Sequence, residues 1–362
     1  MSTILNSERE HKLKTNVRLS RRSLVKASAA FAATLALSPF RSIADTAGQF
    51  SLEVLEKRKS IIKSYRETIE RLQSQSRLPI IDVEHHWGGK LEIEKLIEKM
   101  DRNDVALTWL GANERNGSKS SVETCRQFPN RLVPTTIHGD GPLWHGKDQQ
   151  IVHELDADVR SGNYFAMGEF EARHYVSNTN NRDINMPLDS ESFHGVFKVA
   201  EETGIPFLLH HEAEDALLPE LEKMLSLYPK ANVVWCHVGR NRNPRTWTQF
   251  PSPEGVKHFI QKYPNLHFDI VQSGAKSVFP PTGAWDSILY SNNERLQPDW
   301  VQLFNTFPDR FLIGSDINTG RWDKYGQVMY RLRTSVLRVL TPEVSEKIAF
   351  GNAWRLMTGE NW

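Results

Sequence analysis

From residue 80 onward, short apolar runs alternate along the chain with segments whose apolar residues recur at helical spacing. Eight of these runs have the length and composition of buried strands. The predicted strands are Ile80–Glu84, Val105–Leu110, Leu132–Ile137, Tyr164–Phe170, Pro206–His210, Val233–His237, His267–Val271 and Phe311–Ser315. The predicted helices between and after them are Leu91–Met100, Ser120–Gln127, Gln149–Val159, Glu191–Thr203, Asp215–Leu227, Pro253–Tyr263, Pro298–Phe304 and Pro342–Leu356.

This alternation predicts an α/β fold. Strands and helices that alternate over roughly 280 residues have the size and rhythm of a (β/α)8 TIM barrel. A doubly wound open sheet is the alternative, but its glycine-rich phosphate loop is missing, because Trp87-Gly88-Gly89-Lys90 follows the first strand instead of GxGxxG. Before the barrel, residues 52–75 have the spacing of an amphipathic helix, which predicts an N-terminal helical extension.

The first 44 residues are ordered like an export signal. Basic residues that include Arg21 and Arg22 precede the apolar stretch Ala27–Leu37, and the small residues Ser42-Ile43-Ala44 follow as a cleavage site. The paired arginines resemble the bacterial twin-arginine signal. We therefore divide the chain into a twin-arginine signal peptide (1–44), a helical extension (45–78) and a TIM-barrel domain (79–362). We expect the twin-arginine machinery to export the protein to the periplasm or out of the cell.

The charge of the chain changes once this segment is set aside. The whole chain has a formal charge of +1, and residues 1–44 carry an excess of six positive charges, so the remainder is mildly acidic. An acidic body argues against nucleic acid as the main partner. The two cysteines, Cys125 and Cys236, do not make a disulfide framework, and we expect both to be buried free thiols.

Acidic and imidazole side chains recur at the ends of the predicted strands. Glu84 and His86 are one residue apart, so on a strand they point to the same face. Residues of the same kind end later strands: Glu169, His210, His237 and Asp316. In a barrel the carboxyl ends of the strands meet, and carboxylates with imidazoles are ligands of divalent metals. One such residue alone is more often a core or capping residue, but the set predicts a metal site at the mouth of the barrel.

The ordered set resembles the amidohydrolase superfamily, in the amidohydrolase-related branch that contains aminocarboxymuconate semialdehyde decarboxylase and related hydrolases. The resemblance covers most of residues 79–358. It rests on Ile81-Asp82-Val83-Glu84-His85-His86, Leu208-Leu209-His210, Trp235-Cys236-His237-Val238-Gly239-Arg240, Leu312-Ile313-Gly314-Ser315-Asp316 and Gly351-Asn352-Ala353-Trp354-Arg355-Leu356. The first motif departs from the superfamily's commonest His-x-His, because Glu84 takes the first position. Glu-x-His occurs in this branch among aromatic-acid decarboxylases, which leaves the type of reaction open.

The resemblance implies a metal centre and roles around it. Its implied ligands of one divalent ion, Zn²⁺ ahead of Mn²⁺, are Glu84, His86, His210 and Asp316. Asp316 would also accept the proton of the attacking water, and His237 would act as acid or oxyanion stabiliser. Glu169 resembles a carboxylate that bridges two metals in some relatives, so both one and two ions stay open.

Groups next to these positions are candidates for binding the substrate. Arginines that follow the strand ends suit a substrate carboxylate: Arg240, Arg242 and Arg321. Aromatic and imidazole side chains predicted to line the pocket are Trp87, His138 and Trp322. The long loops Gly139–Lys147 and Gln272–Asn293 are predicted to form lids or substrate walls.

Together these features predict an exported metal-dependent hydrolase that cleaves an amide, lactone or ester bond of a small acidic molecule. A non-oxidative decarboxylase of an aromatic or enoic acid is the alternative that Glu84 motivates. A non-catalytic periplasmic binding protein on the same fold is the alternative of another class. Relatives are often dimers, so a homodimer stays open as well.

Overall fold

The structure, a computed structural model, describes residues 50–89, 92–147, 149–176, 182–243, 245–246 and 250–362. The predicted signal peptide (1–44) and the start of the predicted extension (45–49) lie outside the described residues. Within these ranges, no helix combines the length and the apolar character that a membrane span requires.

All eight predicted strand positions carry a strand, and three short strands lie in the loops between them. The strands are β1 Ile80–Trp87, β2 Val105–Ala112, β3 Leu132–Ile137, β4 Met167–His174, β5 Ile184–Asn185, β6 Phe207–His211, β7 Val233–Trp235, β8 Leu266–Asp269, β9 Val278–Phe279, β10 Ala284–Trp285 and β11 Phe311–Leu312. The three additions, β5, β9 and β10, are two residues each, too short to produce a periodic pattern.

The helices occupy the predicted intervals, most of them with shifted ends. They are α1 Leu52–Ser74, α2 Ile93–Arg102, α3 Gly117–Cys125, α4 Pro142–His145, α5 Gln149–Arg160, α6 Glu191–Thr203, α7 Leu218–Leu227, α8 Pro253–Lys262, α9 Pro298–Thr306, α10 Tyr325–Arg331, α11 Pro342–Glu346 and α12 Asn352–Thr358. The predicted last helix is interrupted by a π-helical turn over Lys347–Gly351. Helices α4 and α10 were not predicted.

Within the described ranges, the strands form two larger sheets and a hairpin. One sheet has the order β1-β2-β3, the other has the order β11-β8-β7-β6-β4-β5, and β9 pairs with β10. Apart from β5, which is antiparallel to β4, the strands of both large sheets are parallel. The strand order is that of the predicted barrel, but the two sheets do not join into one continuous ladder.

Isolated bridges span both gaps between the sheets. Between β3 and β4, Thr135 bridges Ala166, and between the ends of β1 and β11, His85 bridges Ile317. Pro134 of β3 has no amide hydrogen to donate, so toward β4 it only accepts a hydrogen bond, from the Phe165 amide at 3.0 Å. Asp316 adopts a left-handed φ of 49°, which bends the chain out of the extended conformation after β11. The closed barrel predicted from the sequence is therefore present as an α/β arrangement of parallel strands without a closed ladder.

Helix α1 confirms the predicted amphipathic helix and packs against the starts of β3 and β4. Its Ser51 N-cap oxygen accepts a hydrogen bond from the Val54 amide at 3.2 Å. The Tyr65 hydroxyl donates to the Leu132 carbonyl at 3.0 Å, and the buried Arg58 guanidinium donates to the Tyr164 carbonyl at 2.7 Å. These contacts lie at the amino ends of the strands, away from the carboxyl ends where the candidate ligands lie.

Candidate metal centre

The six residues predicted from the strand ends converge on one site. They are Glu84 and His86 from β1, Glu169 from β4, His210 from β6, and His237 and Asp316 from the turns after β7 and β11. The His86 Nε2 atom lies 3.4 Å from Glu169 Oε2 and 3.5 Å from Asp316 Oδ1. The His237 Nε2 atom lies 3.7 Å from one oxygen of Glu84 and 3.7 Å from one oxygen of Glu169. Residues scattered over the sequence thus share one cluster.

The candidate ligand atoms form five overlapping groups among the described residues, each with its atoms within 4.8 Å of one another, and two neighbouring groups together contain the six predicted residues. These two groups are Glu84 with His86 and Asp316, and Glu169 with His210 and His237. Glu169 lies inside β4 and not at its end as predicted, because β4 continues to His174. This arrangement provides donors for one ion or for two.

Glu84 is buried without the partners that a carboxylate needs. Its side chain is only 1% exposed, and no N–H or hydroxyl donor of the described residues reaches either carboxylate oxygen, which adjoins the Asp269 carboxyl group instead. Burial, together with the nearby Asp269 and Glu169 carboxylates, raises its pKa well above the ordinary value. A buried carboxylate among other carboxylates is unfavourable unless a cation joins them. The residues present therefore fit a divalent metal.

Asp269 is a member of the cluster that the sequence reasoning missed. It ends β8, and its carboxylate accepts hydrogen bonds from the His237 amide at 3.1 Å and from the Val271 amide at 2.7 Å. Burial raises its pKa to about 6. A Cβ at Gly314 would lie 3.2 Å from Glu84 Oε2 and 3.3 Å from Asp269 Oδ1, so glycine leaves room for both carboxylates. The sequence signal that could have identified Asp269 is its place as a charged residue between the apolar Phe268 and Ile270.

His237 has a constrained backbone and a neutral side chain. Its φ is 58°, an uncommon value for a residue other than glycine. The Asp269 carboxylate holds its amide, and the Gln272 side-chain amide donates to its carbonyl at 2.8 Å. Burial and the Arg240 charge lower the pKa of His237 to about 3. A neutral imidazole is the form that binds metals.

His210, rather than its neighbour His211, faces the cluster. Its Nδ1 lies 2.8 Å from Glu169 Oε1, and its Nε2 lies 3.6 Å from Glu212 Oε1. Burial by itself would lower the pKa of His210, but the Glu169 carboxylate outweighs this effect and raises it to about 9. The His211 ring lies beside Trp235, with ring centres 6.1 Å apart.

Glu212 is a second buried carboxylate that the sequence reasoning missed. It accepts hydrogen bonds from the Arg242 amide at 2.7 Å and from Arg242 Nε at 2.6 Å. Both side chains are buried, with Glu212 0% and Arg242 4% exposed. Burial would raise the pKa of Glu212, but the Arg242 charge lowers it well below the ordinary range. Arg242 is thereby paired with Glu212, and it also lines the cleft described below.

The other two predicted arginines differ in their partners. Arg321 pairs with Asp316, with its Nη2 atom 2.5 Å from Oδ1. Burial would raise the pKa of Asp316, but the Arg321 charge lowers it well below the ordinary value. Arg240 lines the cleft above the cluster, and its buried Nε has no hydrogen-bond partner in the part of the chain that the structure describes. All three arginines line the cleft, and among the described residues Arg240 is the one of them without an ion pair to a carboxylate.

The cluster lies in a cleft of about 1190 Å³. Trp87 and His138 line it, as predicted, and the His138 ring stacks on His86 with ring centres 4.2 Å apart. Trp322 does not line this cleft, because its ring packs edge-on against buried His85 and beneath Lys99. The structure thus separates two of the predicted pocket residues from the third.

Both loops predicted as lids or walls contribute to this cleft. The first loop, Gly139–Lys147, contributes Asp140. The second, Gln272–Asn293, contributes a longer wall that includes Phe279 and Pro280. The hairpin β9–β10 lies within the second loop and gives that wall its shape.

The comparison with protein families decides the family of the chain. The family model described as Amidohydrolase matches residues 149–357, more than half of the sequence. The chain belongs to the amidohydrolase family. Enzymes of this family generally use a divalent metal, as the ligand groups of this chain also indicate. The matched range contains Glu169, His210, His237 and Asp316, whereas Glu84 and His86 precede it. A comparison with curated protein sequences found no match.

Solved structures resemble this chain at low sequence identity. A probable 2-pyrone-4,6-dicarboxylic acid hydrolase from Acinetobacter baumannii, solved with citric acid bound, has a TM-score of 0.50 and 16% identity, covering 78% of this chain and 99% of its own. An amidohydrolase from Burkholderia multivorans with bound zinc has a TM-score of 0.48 and 13% identity, covering 77% and 98%. The 5-carboxyvanillate decarboxylase from Sphingomonas paucimobilis has a TM-score of 0.47 and 12% identity, covering 77% and 99%. The likeness to the A. baumannii structure supports the α/β fold with parallel strands.

Proposed function

We propose that this amidohydrolase is a metal-dependent hydrolase that cleaves an amide, lactone or ester bond of a small acidic molecule. The observation that carries the proposal is the buried Glu84 carboxylate, which has no hydrogen-bond partner among the described residues and adjoins other carboxylates and imidazoles. Such a cluster needs a cation for its charge, and the cleft above it has room for a small substrate.

The ligands of the proposed centre are taken from both neighbouring groups. They are Glu84, His86, His210 and Asp316, with Glu169 and His237 available for a second ion. Imidazole and carboxylate donors suit Zn²⁺, and the number of carboxylates also suits Mn²⁺. A bound divalent metal would lower the pKa of a water molecule and polarise the carbonyl to be attacked.

Residues around the proposed centre accept protons, form hydrogen bonds and hold the ligands in position. Asp316 is the proposed acceptor of the water's proton, and its pairing with Arg321 keeps the carboxylate ionised before that transfer. His237 is neutral, so in this arrangement it suits metal binding or hydrogen bonding to the developing oxyanion better than proton donation. His138 accepts a hydrogen bond from the Glu169 amide at 2.7 Å and supports the position of His86 by stacking.

The proposed substrate carries at least one carboxylate. Arg240 lines the cleft, and its Nε is buried with no hydrogen-bond partner within the described ranges, so a substrate anion would supply the missing partner. Trp87 lines the same cleft and offers an apolar surface. The A. baumannii protein is named for a dicarboxylic acid, but the proposal for this chain rests on its own arginine.

A decarboxylase is the second candidate, and Glu84 is the observation that favours it. An acidic residue occupies the first ligand position of the first motif, where decarboxylases of the resembling branch also carry one. The two reactions differ in what they add to the substrate and what they release. Hydrolysis adds one water molecule across the cleaved bond, whereas decarboxylation releases CO₂ and leaves a proton in its place.

The first experiment measures metal content by mass spectrometry on the purified protein. Wild type is compared with Glu84→Ala, Asp316→Ala and, as a matched control away from the cluster, Glu114→Ala. We expect one or two Zn or Mn ions per chain in wild type and in the control, and a loss in the two site variants. A folded wild-type protein that takes up no added Zn or Mn would contradict the proposal and favour the binding-protein alternative.

The second experiment identifies the reaction on a panel of small carboxylic acids. We expect the product to contain oxygen from ¹⁸O-labelled water, which is the mark of hydrolysis. Release of CO₂ without incorporation of the label would replace hydrolysis by decarboxylation while leaving the metal centre in place. Export, proposed from residues 1–44, is tested separately by fractionating cells that carry Arg21→Lys and Arg22→Lys together.

A further inference from the structure

We propose that Cys236 is an additional ligand of this metal centre, binding through its sulfur as a thiolate. The inference rests on the proposed metal-dependent function and goes beyond it, because the ligands considered so far are carboxylates and imidazoles. Cys236 follows β7 and directly precedes His237. Both neighbours therefore reach the same cluster from one turn.

The position of the sulfur carries the proposal. Cys236 Sγ, a carboxylate oxygen of Glu84 and a carboxylate oxygen of Glu169 all lie within 4.8 Å of one another. The cysteine is 2% exposed and does not belong to the residues that line the cleft, so the sulfur is buried. A single divalent ion bound there would take one sulfur donor and two carboxylate oxygen donors from this group.

A second observation points to a cation at this place. Glu84 is almost completely buried, and its two oxygens have no hydrogen-bond partner among the described residues. The thiol itself has only a long contact to the Val234 carbonyl, at 3.9 Å. The Glu84 oxygens thus lack a donor and the thiol has a single long hydrogen bond, so a cation between them would give both groups a partner.

The chemistry of a sulfur ligand gives the centre a preference. Binding forms one bond between Sγ and the metal, releases the thiol proton to solvent and leaves the oxidation state of the metal unchanged. Thiolate is a soft ligand that favours Zn²⁺ over Mn²⁺, whereas carboxylates alone do not. Cys236 thereby biases a carboxylate-rich site toward zinc.

The chain contains a matched control. Its other cysteine, Cys125, ends α3 and is also a free thiol with 2% exposure. It belongs to none of the ligand groups found among the described residues. Because the chain has two cysteines, the Cys125→Ser variant leaves Cys236 as its one thiol.

The test loads the metal-free protein with Co²⁺ and records its absorption spectrum. A thiolate bound to Co²⁺ produces a ligand-to-metal charge-transfer band in the near ultraviolet, separate from the weaker visible bands of the bound ion. We expect this band in wild type and in Cys125→Ser, and its loss in Cys236→Ser while the visible bands remain. We also expect the Zn²⁺ affinity of Cys236→Ser to fall about 10–100-fold, with a smaller fall for Mn²⁺.

The outcomes separate this inference from the proposed function. Visible bands without charge transfer in wild type would overturn the role of Cys236 and leave the metal centre standing. No binding of Co²⁺ by folded wild type would overturn both. If Cys236→Ser does not fold, the spectrum of Cys125→Ser decides, since any charge-transfer band there must come from Cys236.

Discussion

Replacing Glu84 by glutamine should stabilise the metal-free protein and, at the same time, weaken its response to metal. In the metal-free state Glu84 is a buried carboxylate close to Asp269 and Glu169, and its oxygens lack hydrogen-bond partners in the described part of the chain. Glutamine has nearly the same shape, carries no charge, and its amide can donate to either neighbouring carboxylate. The same change removes a proposed ligand.

The magnitude follows from the cost of an unsatisfied buried group. Such a group costs about 1–3 kcal/mol, and more when it is charged, so Glu84→Gln should gain at least about 1 kcal/mol at neutral pH. The gain should depend on pH, because the pKa of Glu84 in the folded protein is raised above its ordinary value of 4.5. The folded state then binds the proton more tightly than the unfolded state. Wild type therefore loses stability as the pH rises above about 4.5, by up to about 1.4 kcal/mol per unit until the folded pKa is passed.

Adding metal should reverse the order of stability of wild type and Glu84→Gln. At a free metal concentration of about 100 times Kd, binding stabilises wild type by about 2.7 kcal/mol. The Glu84→Gln variant should gain much less stability from the same concentration of metal. The variant is thus expected to be the more stable protein in chelator, and wild type should recover that deficit when Zn²⁺ is added.

Urea unfolding followed by tryptophan fluorescence measures both effects, in chelator and in excess Zn²⁺, between pH 5 and pH 8. Glu114→Gln is the matched control, because the Glu114 carboxylate accepts hydrogen bonds from the Leu143 and Trp144 amides. This control should show no increase in the free energy of unfolding in chelator, and Zn²⁺ should stabilise it as much as wild type. The reasoning is refuted if Glu84→Gln is less stable than wild type in chelator at neutral pH.

Two further predictions concern residues that position the site. Glu212→Ala leaves the buried Arg242 charge without its partner and should lower the free energy of unfolding by about 3–5 kcal/mol in a urea titration; a loss below about 1 kcal/mol would contradict a tight buried pair. Asp82 accepts hydrogen bonds from the Ser315 amide at 2.8 Å and the Glu84 amide at 3.4 Å, so it links β1 to the turn after β11. Asp82→Ala should weaken Zn²⁺ binding about 10–100-fold in a competition titration, whereas Asp82→Asn keeps an acceptor oxygen and should lose much less. Equal losses in the two variants would argue against this link.

Local signals in the sequence predicted the bounds of an element correctly where residues at its ends start or stop it. Helix α6 begins and ends as predicted, because Ser190 caps its start and Gly204 adopts the left-handed conformation after its end. Strand β3 also has its predicted bounds. The burial of Cys125 and Cys236 as free thiols is confirmed too. In each case the deciding interactions are short in sequence or follow from apolar character alone.

Contacts between distant segments decided what the sequence reasoning missed. Asp269 belongs to the cluster because β8 lies beside β7, which brings its carboxylate to the His237 amide. Arg242 is paired with Glu212, and Trp322 packs against His85, partners that the sequence reasoning did not identify. Charge and size predict that such a residue will have partners, but not which partner the fold brings near.

The sequence by itself determined the alternation of strands and helices, and it placed six ligand-type residues where parallel strands would gather them. Those features depend on periodicity, caps and turn residues, which act over a few residues. Only the tertiary structure decided that the two sheets meet through isolated bridges, that Asp269 and Cys236 join the cluster, and that Glu84 remains unsatisfied among the described residues. These features depend on distances between atoms far apart in the chain, and a distance of that kind exists only once the strands have packed side by side.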